Sequence, residues 1–289
     1  MKKLYFVTGS QDLYGADTLK LVDLHSQAIV EYFKLKINKI EFVWKQVVRN
    51  SEEITAVFEV ASSDKDCVGV IVWMHTFSPA KMWINGLKRL DRPLLHLHTQ
   101  FNRELPYDSI DMSFMNQNQS AHGDREFGFI LRRMNLKHHV VVGYYQDDDV
   151  LEEVRRFARV SKAIAYSSQL KVAMFGGNMR DVAVTDGDRV ESQIRFGWDI
   201  NYYGIGELVE YLNQVTPRDL RITIDQFQQD YEIGTDNLEA VEEQAKIYVA
   251  LKRFLSQRQI QAFTDTFEDL HGMAQLPGLA TQRIHSEGV

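Results

Sequence analysis

The residues best suited to chemistry lie in the stretch 261–272, QAFTDTFEDLHG. It starts as a strand-like run, Ala262-Phe263-Thr264, with Phe267 continuing the alternation. It then enters an acidic turn, Glu268-Asp269, followed by Leu270-His271-Gly272. A carboxylate just past the carboxyl end of a strand stands where α/β sheets hold their ligands. The competing reading is that Glu268 or Asp269 caps the next helix.

Four other stretches carry groups that could bind a small polar molecule. Gly9-Ser10-Gln11-Asp12-Leu13-Tyr14-Gly15 follows the first apolar run and would form a loop at a sheet edge. The stretch 73–83, WMHTFSPAKMW, gathers two tryptophans, a histidine and Phe77 near a strand end. Rings with a few polar atoms suit the faces and hydroxyls of a sugar, or else form a core or interface cluster. His96-Leu97-His98 puts two imidazoles on one face of a strand. Such a pair can bind metal, but with no carboxylate nearby in sequence ordinary hydrogen bonding is the favoured reading. The stretch 117–128, QNQSAHGDREFG, sets Gln119 and His122 three apart, on one helix face where both could bond a polyol. Capping and ion pairing compete with that role. His138-His139 reads as the polar start of a strand.

The elements that must position these groups follow from apolar periodicity. Strands are expected near 4–8, 40–47, 68–73, 94–98 and 140–144. Helices are expected over 17–33, from Ser51 as N-cap to about 62, over 79–90, in the later part of 111–134, and over 147–167 with an acidic first turn. A second unit follows the polar seam 167–169. It has a buried strand at 171–175, a strand near 199–203, helices near 186–195, 205–214, 217–231, 237–256 and 277–287, and the Phe263 strand. Strands that are almost wholly apolar imply a parallel sheet covered on both faces. Right-handed crossovers then give two consecutive open α/β units, 1–168 and 169–289.

Composition narrows the function classes. With 289 residues, 44% hydrophobic and 25% charged, the chain is an ordinary globular protein. A net charge of −7 argues against nucleic acid or anionic membrane as partners. The single cysteine, Cys67, precedes an apolar run and reads as core filler in a reducing compartment. No apolar run approaches the roughly 18 residues of a membrane span, and the short run after Met1 is broken at Gly9, so a cytoplasmic location is expected. G-x-G-x-x-G and the P-loop lysine pattern are absent, which disfavours a nucleotide-binding protein.

GSQDLYG, WMHTFSPAKMWINGL, HTQFN, SIDMSFMNQNQSAHGDREFGFI, NMRDVAVTDGD and AFTDTFEDLHG with LPGLATQR closely resemble bacterial L-arabinose isomerases, in order and along essentially the whole chain. The resemblance implies interconversion of L-arabinose and L-ribulose, and, as in many members of the family, of D-galactose and D-tagatose, through an ene-diol. It implies a divalent metal, usually manganese (Mn2+), held by two glutamates and two histidines, and homo-oligomers, trimers paired into hexamers. By motif, Glu268 matches the first metal-ligand and acid–base glutamate. Gln11, Leu13, Phe77, Gln119, His122 and Met179 match positions lining the sugar pocket, Gln119 and His122 across a subunit boundary. The family's second glutamate sits in a GEGDWK segment soon after LPGLATQR, its histidines follow, and a mainly β C-terminal domain closes the fold. This sequence stops at Val289, before those parts. The expectation is one ligand in four, without tight metal binding, and His285 and Glu287, on different helix faces, are not substitutes. Two functions follow as expectations: a ketol isomerase, or a catalytically inactive sugar-binding or assembly module of the same descent.

Overall fold

A computed structural model describes residues 1–288. The chain divides into two compact units, Met1–Ala165 and the part from Tyr166 onward. In order, the first contains β1 (Lys3–Gly9), α1 (Gly15–Lys36), β2 (Glu41–Val48), α2 (Ser51–Ser63), β3 (Cys67–Met74), α3 (Ile84–Leu87), β4 (Leu94–His98), α4 (Met112–Gln117), α5 (Ser120–Arg133), β5 (His139–Val142) and α6 (Asp148–Ser167), whose last turn crosses into the second. The second contains β6 (Lys171–Phe175), α7 (Arg189–Phe196), β7 (Asp199–Tyr203), α8 (Ile205–Leu212), α9 (Pro217–Asp230), α10 (Leu238–Gln257), β8 (Ala262–Asp265) and α11 (Gly278–Ser286).

The first sheet has strand order β2-β1-β3-β4-β5, all parallel. Alternate side chains feed two separate cores, as a two-residue period requires. Leu4, Phe6, Ile71, Trp73, Leu95 and Leu97 pack toward α1 and α6. Tyr5, Val7, Val70, Val72 and Met74 pack toward α2 and α5. All eight residues of β3 are buried. Each fully buried aliphatic or aromatic side chain contributes roughly 1.5–3 kcal/mol, so this central strand is a principal source of stability. Cys67 is buried and free.

The second sheet, β7-β6-β8, is also parallel. Its one core joins Ala173, Phe175 and Phe263 to α8, α10 and α11. The expected full burial of 171–175 is corrected here: Val172 and Met174 are only half-buried and Lys171 is exposed. A three-stranded sheet has little area to shield a second face.

Other local expectations also change. Asn50, not Ser51, caps α2: its side-chain oxygen accepts the Glu53 N–H at 2.9 Å. The span 79–90 forms a 3-10 turn, Ala80–Trp83, and only one turn of α-helix, α3. Gly86 in α3 lies so close to α2 that an added Cβ would stand 2.7 Å from Ile54 Cγ2. That contact requires a glycine, a poor helix former. The later part of 111–134 is helical as expected, as α5, and a separate short helix, α4, precedes it across Asn118-Gln119. β8 ends at Asp265, so Phe267 does not continue the strand and is exposed.

At the amino edge of the first sheet, the Tyr5 hydroxyl donates to Asp64 at 2.6 Å, and the Asp66 N–H adds a second bond. The Tyr5 bond is the main reason the Asp64 carboxyl is lowered from 3.8 to about 2. A depressed folded-state value means stabilisation that is complete above 3.8 and lost as pH falls through about 2. Tyr5→Phe is expected to lower stability at neutral pH and to flatten the acid limb over this window. Urea unfolding measured through the window checks this; an unchanged acid limb would show that the bond does not depress Asp64.

Candidate active site

Both sheets deliver their loops to the carboxyl ends of parallel strands, where α/β folds bind ligands. In the first unit, β1 ends at Gly9, whose backbone is pressed against Trp83 and Met74. A Cβ there would meet both at 2.7 Å. The chain continues through Ser10, which is fully buried and bonds Thr76 Oγ1 at 2.7 Å, tying the loop after β1 to the loop after β3. Gln11 then opens a 3-10 turn, Asp12–Tyr14, on which Leu13 stands 84% exposed. An apolar side chain held that far into solvent is available to a ligand or partner.

The aromatic stretch 73–83 divides between core and surface. Trp73 and Trp83 are fully buried and belong to the two cores, not to a sugar platform. His75 is buried as well, stacked on Trp73 and bonded to His25 at 2.7 Å. Burial drives its pKa down to about 3, so it is neutral. Phe77 remains at the rim, its ring stacked on His122 at 4.5 Å. Gln119 and His122 share the start of α5, but Gln119 precedes the helix as its N-cap, with its side-chain amide donating to Asn116. Together with Gln100, Asn102, Leu105 and Phe114, Gln119 and His122 line a cavity of about 500 Å³ that combines amides with apolar walls.

His96 and His98 do have a carboxylate neighbour. Asp124 on α5 is buried and accepts or donates at 2.8 Å to His96 Nε2, and His96 Nδ1 lies 3.0 Å from His98 Nε2. The sequence reading found no carboxylate because the bond spans 28 residues. Among the described residues this is the one group of three such side chains with donor atoms all within 4.8 Å. Both nitrogens of His96 are engaged, so an ion could enter only by displacing one of these bonds. His138 bonds a backbone carbonyl, and His139 pairs with Glu153 at 2.8 Å.

In the second unit, β6 ends at Phe175 and the chain turns through Gly176 and Gly177, with φ of 76° and 74°. This turn presents Met179 and Arg180. From β8, the Thr266 N–H reaches back to Phe175 at 3.2 Å, and Glu268 follows two residues later. The Arg180 N–H donates to Glu268 Oε2 at 2.8 Å. Its guanidinium donates to both oxygens of Asp269 at 2.9 and 3.1 Å and stands 3.7 Å from Glu268. Glu268 caps no helix: α11 starts only at Gly278 with Pro277 before it. The loop after β6 therefore holds the half-buried Glu268 carboxylate in place through Arg180, the residue that follows Met179. Sequence reasoning missed Arg180, although it lies within the NMRDVAVTDGD stretch, because its partner is 88 residues away. Glu287 is bound by Lys252 and Tyr248, and the His285 ring packs near Phe263, so both serve α11.

Gly176→Ala is expected to destabilise the protein. A left-handed backbone costs an L-residue about 1–2 kcal/mol, and the new Cβ would stand 2.4 Å from Thr266 Cγ2, pushing the two loops apart. Denaturant unfolding checks this; a loss below about 0.5 kcal/mol would show that the turn relaxes freely.

A doubly wound α/β unit and a second parallel α/β unit, each with polar groups at the strand carboxyl ends, define the class: an α/β protein of two parallel-sheet units. The family model of the L-arabinose isomerase N-terminal domain matches residues 1–169, and that of the central domain matches residues 171–289. An L-arabinose isomerase of Shouchella clausii is 50% identical over 287 residues, covering 99% of this chain. Those of Halalkalibacterium halodurans and Thermotoga sp. are 53% and 50% identical over 98% and 99% of it. The chain belongs to the L-arabinose isomerase family. It spans 58–59% of the length of these relatives.

Proposed function

We propose that this chain supplies the sugar-facing and proton-transferring parts of an aldose–ketose isomerase, acting on L-arabinose to give L-ribulose, with D-galactose as an alternative substrate. One observation carries the reading: Glu268, beyond the end of β8, is held by the Arg180 N–H at 2.8 Å, with Met179 adjacent in the chain. In ketol isomerisation a carboxylate takes the proton from C2 of the open-chain aldose. The C2–H electron pair forms the C1=C2 bond of the ene-diol as the C1 carbonyl oxygen gains a proton; the C2 hydroxyl then gives up its proton as the carboxylate's proton returns at C1, giving the ketose. Glu268 takes the carboxylate's part. In the first unit Phe77, with His122 stacked on it, offers an apolar ring for a sugar face, Gln11, Gln119 and His122 offer hydrogen bonds to hydroxyls, and Leu13 an apolar wall; in the second, Met179 offers an apolar side chain.

The residues around Glu268 do not make a manganese shell. Its carboxylate neighbour, Asp269, is taken by Arg180, and the one three-donor group among the described residues lies in the first unit. A hard divalent ion needs several oxygen or nitrogen donors, so no step is assigned to it through these residues. That shortage favours a second reading, in which the chain binds sugar or assembles without turnover. Among the described residues no helix is long and apolar enough to cross a membrane. A cytoplasmic homo-oligomer without nucleic-acid or membrane partners fits the net charge of −7, and exposed Leu105, Tyr107, Met112 and Met115 offer a subunit contact.

Two measurements on the chain separate the readings. Turnover of L-arabinose with added manganese supports the isomerase. Calorimetric heat with L-arabinose but no ribulose supports the binding module. Absence of both at millimolar sugar removes the sugar reading.

A further inference from the structure

We propose that Asp124, His96 and His98 form a buried proton relay that makes His98 a hydrogen-bond donor to a hydroxylated ligand at the carboxyl end of β4. The role as donor to a sugar rests on the proposed function; the relay itself rests on the geometry and the burial of the three groups. The three groups form a continuous chain, with 2.8 Å between Asp124 Oδ1 and His96 Nε2 and 3.0 Å between His96 Nδ1 and His98 Nε2. The side chains of Asp124 and His96 are 3% and 0% exposed, whereas that of His98, the last residue of β4, is 28% exposed. The far nitrogen of His98, Nδ1, makes no hydrogen bond among the described residues; Asp124 Oδ2 is 3.9 Å away, too far for one.

A neutral imidazole carries one N–H and one acceptor nitrogen, so the proton at one end of such a chain dictates every other position. Burial disfavours charge on all three groups, raising the Asp124 carboxyl and lowering both imidazoles. The groups facing them are the Met74 N–H, which donates to Asp124, the Phe127 ring edge-on to His96, and His138, whose positive charge would further disfavour protonation of either imidazole. At neutral pH the acid is therefore protonated. Its O–H donates to His96 Nε2, His96 Nδ1–H donates to His98 Nε2, and His98 is left with its proton on Nδ1, as a donor on the part-exposed ring. When the acid gives up its proton, each proton moves one bond outward. The acid's proton passes to His96 Nε2, the His96 Nδ1 proton passes to His98 Nε2, and the His98 Nδ1 proton leaves to solvent or ligand. One proton is released in total, and the outer nitrogen changes from donor to acceptor. Asp124 acts on the ligand only through the rings and is a positioning residue.

Nitrogen-15 NMR of the imidazoles in the full chain, assigned with His98→Gln, tests the relay, because it distinguishes protonated from bare ring nitrogens. His96 and His98 are expected to be protonated at Nδ1 at neutral pH and to switch to Nε2 as pH is raised through about 9. Asp124→Asn presents an amide N–H where the neutral acid had its O–H. It is expected to keep both protons on Nδ1 and to abolish the switch, which a merely structural role would not do. Protons on Nε2 at neutral pH, or a switch that survives in Asp124→Asn, would overturn the relay. Added L-arabinose is expected to shift His98 Nδ1. If it shifts His122 alone, the donor role of His98 is overturned while the sugar reading stands. If it shifts neither, the donor role fails together with the sugar reading, and the tautomers alone decide the relay.

Discussion

Glu268→Gln is expected to reduce L-arabinose turnover by about 10²–10⁴-fold, the usual contribution of a positioned general acid–base group. Glutamine keeps the shape of the side chain, and its carbonyl oxygen can still accept the Arg180 N–H that meets Glu268 at 2.8 Å. It cannot take a proton from C2. The loss should therefore fall on kcat, with KM little changed, since binding contacts outside the carboxylate survive. The variant should fold normally, because Glu268 is only half-buried and lies in a loop. Steady-state kinetics on active protein decides the matter. If turnover stays within tenfold of the parent, the proton is carried elsewhere and the reading of the 268 turn is wrong.

Trp83→Ala is expected to destabilise the protein by about 3–5 kcal/mol, the usual cost of deleting a buried indole. Trp83 is fully buried between Phe58, at 5.8 Å between ring centres, and Phe127, at 5.0 Å edge to face. Its Nε1–H donates to Ser78 Oγ at 3.0 Å, so the substitution also leaves a buried hydroxyl without this partner. The ring is the surface against which Gly9 lies, and the resulting cavity would free the loop that carries Gln11 and Leu13. Loss of stability and weaker ligand contact in the first unit should therefore occur together. A shift of less than about 1 kcal/mol in urea unfolding would mean that the core collapses to fill the space.

Local patterns carried much of the fold into view. The apolar runs of β1, β3 and β4 read as strands because their residues must face two cores at once, and such residues show in sequence as unbroken apolar runs. The split of 79–90 and the half-covered β6 were not legible, since both depend on how closely distant elements approach: Gly86 on Ile54, and a three-stranded sheet with one packed face.

From the sequence alone came two parallel α/β units, their order and the family. Backbone periodicity and long motifs are written residue by residue, and each reports on its own neighbourhood. Tertiary structure decided which side chains meet: Arg180 with Glu268 across 88 residues, Asp124 with His96 across 28, and two tryptophans withdrawn from the rim into the core. These pairings follow from strand order and helix packing, which set distances between residues that no local repeat connects.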